Sequence, residues 1–132
     1  MRKRGWGTLL LIGCALLGLT ACGTANGVAI TYEQISAEEA KAIMDNESGY
    51  IIIDARTEEE FAQGHIPGAT LIPEYEIAKR AEKELPDKDQ LILVYCRSGR
   101  RSKIASEELV KLGYTNVKEF GGIMDWTYEI VK

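Results

Sequence analysis

The chain has 132 residues, for which a single domain is the expectation. Twenty acidic against sixteen basic residues give a formal charge of −4, and an acidic body argues against nucleic acid as a partner. One histidine and no cysteine pair make a zinc site a poor reading, and no motif asks for another cofactor.

At the N-terminus, Arg2, Lys3 and Arg4 precede an apolar stretch, Thr8 to Leu19, that is too short to span a bilayer comfortably. The following Leu19-Thr20-Ala21-Cys22 resembles the lipobox of bacterial lipoproteins. That resemblance implies cleavage before Cys22 and a thioether-linked lipid on its sulfur. Residues 1–21 would be the signal peptide, and residues 22–34 the lipidated N-terminus and a short tether of small residues. The domain itself would occupy residues 35–132. Such a protein is expected on the extracytoplasmic face of the cell membrane, held by lipid chains rather than by a basic patch. Cleavage removes three basic residues and no acidic one, taking the formal charge from −4 to −7. Cys14 lies in the signal core and Cys22 carries lipid, so Cys96 becomes the sole free thiol of the mature chain. An exported domain without an internal disulfide must be stabilised by its core.

Along the domain, Ser36-Ala37-Glu38-Glu39 is a capping-box pattern opening a helix with Ala40, Ile43 and Met44 on one face. Tyr50-Ile51-Ile52-Ile53 reads as a strand buried on both faces, ending at Asp54. Thr57-Glu58-Glu59-Glu60 is a second capping box, its glutamates read as a solvated face at a positive helix end. A turn at His65–Ala69 leads into a short strand, Thr70–Ile72, and a helix is expected from about Glu74 to Leu85. Asn116–Phe120 reads as a last strand, followed by Gly121-Gly122 and a short terminal helix containing Trp126. Alternating strands and helices imply an α/β domain with a mainly parallel sheet and helices on both faces.

The chemistry centres on Leu91 to Ser102. The apolar run to Cys96 reads as a buried strand, and a helical pattern begins at about Arg101 or Ser102. Cys96 thus lies near a helix N-terminus, where unpaired N–H groups and the positive dipole end favour thiolate over thiol. Arg97, Arg100 and Arg101 act in the same direction, and Gly99 permits the tight turn.

Cys96-Arg97-Ser98-Gly99-Arg100-Arg101 resembles the active-site loop of the rhodanese family of sulfurtransferases. Asp54-Ala55-Arg56, Glu60 to Ala69 and Gly121 to Trp126 resemble the family's other signatures, in the expected order. The resemblance implies a rhodanese-like three-layer domain and transfer of a sulfane sulfur through a Cys96 persulfide. The donor would be thiosulfate or a persulfide, and the acceptor cyanide or a thiol. It also implies an anion-binding loop of Arg97, Ser98, Gly99, Arg100 and Arg101. Arg97 and Arg101 are the better donor-binding candidates, Arg101 in the position linked to thiosulfate, while Arg100 points to solvent. Asp54 and Arg56 would be a supporting pair, a salt bridge at the end of the first long strand. His65 would serve the scaffold. The rhodanese-like phosphatases carry a loop one residue longer, with arginine sixth after cysteine; here the sixth residue is Ser102. A sulfur-relay or redox-sensing module is the alternative from another class. A monomer is expected.

Overall fold

The computed structural model describes residues 31–132. Five strands form one parallel sheet: β1 (Glu33–Gln34), β2 (Ile51–Asp54), β3 (Ala69–Leu71), β4 (Ile92–Cys96) and β5 (Val117–Gly122), in the spatial order β1-β5-β4-β2-β3. Four α-helices accompany them: α1 (Ala37–Asn46), α2 (Glu58–Gln63), α3 (Ile77–Glu84) and α4 (Arg100–Lys111).

Parallel neighbours need crossover connections, and helices supply them here. Both helix starts read as capping boxes form as such. The Ser36 hydroxyl accepts from the Glu39 N–H while Glu39 accepts from the Ser36 N–H, and Thr57 and Glu60 do the same for α2.

The sheet is covered on both faces, which is why β4 carries an unbroken apolar run. Ile53, Ile92, Val94 and Val117 point to one side, against Ile77 and Ala81 of α3 and Ala105 and Leu109 of α4. Ile52, Leu93, Tyr95 and Phe120 point to the other, against Ala37 and Ala40 of α1 and against Trp126. This is the three-layer α/β arrangement expected from the alternation of elements.

Three local departures have physical causes. The helix expected from Glu74 begins as a 3-10 turn, Glu74–Glu76, and becomes α-helical only at Ile77. The Glu74 N–H is drawn to the Ala55 carbonyl and so holds the turn against the end of β2. The terminal helix is reduced to one 3-10 turn, Ile123–Asp125, and Trp126 beyond it is extended. That turn frees the tail to run back, where Val131 and His65 exchange backbone hydrogen bonds. The edge strand β1 lies in the stretch read as tether, where its two exposed polar residues give no strand signal.

Candidate active site

Cys96 is the last residue of β4, and α4 begins four residues later. Between them Gly99 adopts φ +106°, a left-handed conformation that costs glycine little. The turn folds the loop around the sulfur, and the Gly99 N–H donates to Cys96 Sγ at 3.0 Å. Ser102 Oγ lies 3.4 Å from the same sulfur. The side chain is only 1% exposed, and this burial alone pushes the thiol up. In the thiol the S–H donates to Ser102 Oγ. Once the sulfur is ionised, hydrogen bonds to it from the Ser102 hydroxyl, turned donor, and from the backbone N–H groups of Ser102, Gly99 and Ser98 outweigh the burial, leaving Cys96 below the ordinary thiol range.

The loop rests on the end of β5. Cys96 is in register with Gly122, and the Met124 N–H donates to the Arg97 carbonyl at 3.2 Å. A Cβ on Gly122 would stand 1.9 Å from that carbonyl oxygen. Only a residue without a side chain lets backbone meet backbone here, which gives Gly122 a steric reason.

The three arginines separate. Arg97 and Arg100 are exposed, as is Ser98, and neither guanidinium enters an ion pair among the described residues. Arg101 is one-fifth exposed and grips Glu60 with two parallel bonds, Nη1 to Oε2 at 2.7 Å and Nη2 to Oε1 at 2.8 Å. That bond from Arg101 brings the Glu60 carboxyl down to about 2, against the opposing effect of burial and with help from Thr57. Glu58 and Glu59 are the solvated face that was expected, but Glu60 is not. Its capping-box position was legible, whereas its bond to an arginine 41 residues away carried no sequence signal.

Asp54 and Arg56 form a buried brace. Asp54 is wholly buried and Arg56 is 5% exposed. Arg56 Nη2 meets Asp54 Oδ2 at 2.7 Å and the Gly64 carbonyl at 2.7 Å. The Tyr95 hydroxyl donates to the same Oδ2 at 2.7 Å and accepts from the Ile66 N–H at 3.1 Å. Tyr95 immediately precedes Cys96, so the brace fixes the strand end that presents the sulfur. Desolvation in this position, with the Asp54 charge beside it, raises the Tyr95 phenol well above its ordinary range. His65 stacks on Phe61, with ring centroids 3.7 Å apart, and its Nδ1 lies 3.0 Å from the Phe61 carbonyl. It serves the scaffold.

Two participants gave no warning in the sequence. Ser102 Oγ donates to Glu119 Oε1 at 2.6 Å, and that oxygen also accepts the Gly121 N–H at 2.8 Å. Both residues are buried. Cys22 lies outside the described residues.

Comparison with known proteins agrees with this geometry. The thiosulfate sulfurtransferase PspE of Escherichia coli is 41% identical over 80 residues, covering 61% of this chain and 77% of the relative. The putative sulfur carrier protein YrkF of Bacillus subtilis is 39% identical over 95 residues, 71% of this chain, which spans half of that protein's length. A solved structure described as a rhodanese with anions from E. coli superposes with a TM-score of 0.60 at 40% identity, over 63% of this chain and 98% of that one. These names support sulfurtransferase activity in general terms. The rhodanese-like domain model matches residues 36–129, a span that holds the cysteine loop, its glycine bed and the Asp54–Arg56 brace, and the chain belongs to that family.

Proposed function

We propose that this protein moves a sulfane sulfur from thiosulfate or a persulfide donor to cyanide or a thiol, carrying it on Cys96. With thiosulfate, the Cys96 thiolate attacks the sulfane sulfur; the donor's S–S bond breaks and sulfite leaves with the electron pair. The enzyme then holds a Cys96 persulfide whose terminal sulfur is negative. An acceptor nucleophile attacks that sulfur and the Cys96 thiolate is restored, a two-step covalent cycle. The observation that carries this reading is the thiol's placement: a buried sulfur ringed by loop N–H groups at the start of α4. Oriented backbone dipoles of this kind support a thiolate and, once the sulfur is transferred, its anionic extension. Exposed Arg97 and Arg100 would draw an oxyanion donor, and Arg101 would bind it after parting from Glu60. The short loop argues against phosphate chemistry, since arginine stands one residue too early.

A second reading has one observation in its favour. Arg101 is already held by a carboxylate, so sulfur relay from persulfide to thiol, with no oxyanion donor, fits the resting site equally well. At the N-terminus, Cys22 would carry the lipid that places a monomeric domain at the extracytoplasmic membrane face. Mass measurement of the membrane-extracted chain checks that assignment: a chain that begins at Cys22 and carries the mass of the lipid supports it, and a Cys22 without lipid overturns it.

Intact mass measurement of the full chain after incubation with thiosulfate, beside Cys96→Ser, tests the main reading. A gain of one sulfur on the wild type, removed by cyanide, supports it. A gain only with a persulfide donor selects the relay. No gain with either rejects both.

A further inference from the structure

Cys96 is sealed from solvent, so the proton it loses on ionising needs somewhere to go. Ser102 Oγ is the polar side-chain atom on its sulfur, and behind that hydroxyl lies Glu119 at 2.6 Å, itself only 2% exposed. Among the described residues Glu119 has no cationic partner; its Oε1 is held by Ser102 and the Gly121 N–H alone. A buried carboxylate without a cation is costly unless its charge can be relieved. Glu119 also lines a groove of about 350 Å³ beside the loop, with Ser98, Gly99, Lys103 and Asp125, which opens it to the outside.

The hydroxyl of Ser102 has a single proton and can serve only one of its neighbours. While Glu119 is ionised, the short bond to the carboxylate claims that proton and Ser102 offers Cys96 only lone pairs. This suits a thiol, which donates, and opposes a thiolate. We propose that Glu119 is the internal proton acceptor for Cys96, acting through Ser102. In the transfer the Cys96 S–H bond breaks as a new Ser102 O–H bond forms. The old Ser102 O–H bond breaks as Glu119 gains a proton on Oε1. One negative charge moves from carboxylate to sulfur, and Ser102 turns from acceptor to donor toward the thiolate. No second charge is buried, and the groove returns the proton to solvent later. The inference rests on Cys96 being the nucleophile but not on which sulfur compound it attacks.

Other charged or titratable groups around the pair are Arg101 and Lys103 of α4, the neutral phenol of Tyr32 before β1, Glu38 in the first turn of α1, Asp125 after β5, and Asp54, whose charge Arg56 already meets. None of them bonds to Ser102 or Glu119.

Two groups sharing one proton titrate as a pair, in two macroscopic steps. The test is the rate of Cys96 alkylation by iodoacetamide across the range from about pH 4 to 10, read at the Cys96 peptide of the full chain. The wild type should show two steps with a plateau between them. Glu119→Gln keeps an oxygen to accept the Ser102 hydroxyl but cannot take a proton, and it should lose the lower step. Ser102→Ala should lower the plateau. A single step in the wild type overturns the proposal. Should the variants fail to fold, infrared difference spectra of the wild type decide: a protonated-carboxyl band at the plateau pH, lost when Cys96 is alkylated, supports it, and its absence overturns it. Persulfide formation is scored separately, so a chain that gains sulfur yet titrates in one step rejects only the proton transfer to Glu119. A chain that titrates in two steps yet never gains sulfur rejects only the sulfur chemistry.

Discussion

Glu60 and Arg101, 41 positions apart, meet in two parallel charge-assisted bonds of 2.7 and 2.8 Å beside the cysteine loop. Glu60 sits in the first turn of α2 and Arg101 in the first turn of α4, so the pair clamps two helix starts together. It also occupies the one loop guanidinium that is ion-paired among the described residues. A donor oxyanion must compete with a carboxylate for Arg101, whereas Arg97 and Arg100 are open to it at once.

This competition predicts opposite effects on donor binding. Glu60→Gln removes the rival charge and should lower the KM for thiosulfate by about three- to tenfold, roughly 0.7–1.4 kcal/mol. Arg101→Ala should raise it by at least a similar factor, measured on the folded fraction because the clamp is lost with it. Steady-state kinetics with cyanide as acceptor reads both. A KM that does not move in Arg101→Ala would remove Arg101 from donor binding.

The same pair predicts an acid-dependent stability. Glu60 titrates at about 2 in the folded chain, against about 4.3 for an unfolded glutamate. A folded value below the unfolded one means the pair's stabilisation is complete above about pH 5 and fades as the pH falls toward 2. Thermal melts of wild type and Glu60→Gln should therefore differ most near neutrality and converge on acidification. A gap that stays constant to about pH 2.5 would show that the ion pair is not its cause.

Much of this site was legible because its signals are local. The apolar run of β4, the cysteine at its end and the following helix are contiguous, and a strand, a tight turn and a helix N-terminus follow from residue type. The two capping boxes repeat a four-residue pattern and formed as written. Arg101 was legible as a loop arginine but not as Glu60's partner, because ion pairs across 41 residues have no period in sequence. Glu119 was hidden for a related reason. It follows Lys118 in β5 and reads as the second of two charged residues on a strand, yet its register beside β4 turns it under the loop. The tail pairing of Val131 with His65 was equally invisible, since two isolated backbone contacts leave no pattern.

The brace beneath Cys96 predicts a stability effect separable from chemistry. Asp54→Asn leaves Arg56 buried without its counter-charge, and breaking such a pair costs about 3–5 kcal/mol. Tyr95→Phe strands only the Asp54 and Ile66 polar groups, at about 1–3 kcal/mol. Urea unfolding should rank the two in that order. Activity per folded molecule should change less in Tyr95→Phe, because the strand end keeps its backbone pairing to β2 and β5.

The seat of the loop gives the sharpest steric prediction. At Gly122 an added methyl would lie 1.9 Å from the Arg97 carbonyl oxygen, 2.3 Å from its carbon and 2.5 Å from the Ser98 nitrogen. All three are backbone atoms, and the carbonyl is already held by the Met124 N–H, so no flexible side chain can yield. Gly122 itself is at φ −132° and ψ 158°, where alanine is comfortable, so the cost is collision and not conformational strain. Gly68 supplies the converse control: φ is +81° with nothing within 4 Å of an added Cβ. Gly68→Ala should therefore cost about 1–2 kcal/mol of backbone strain. Gly122→Ala should cost about 3 kcal/mol or more, at or beyond the upper range for overpacking, and should displace the loop so that Cys96 fails to gain sulfur even in the folded fraction. Urea melts with persulfide mass measurement on the same samples check both parts. A Gly122→Ala chain as stable and as readily sulfurated as the wild type would mean that the loop is not seated on β5.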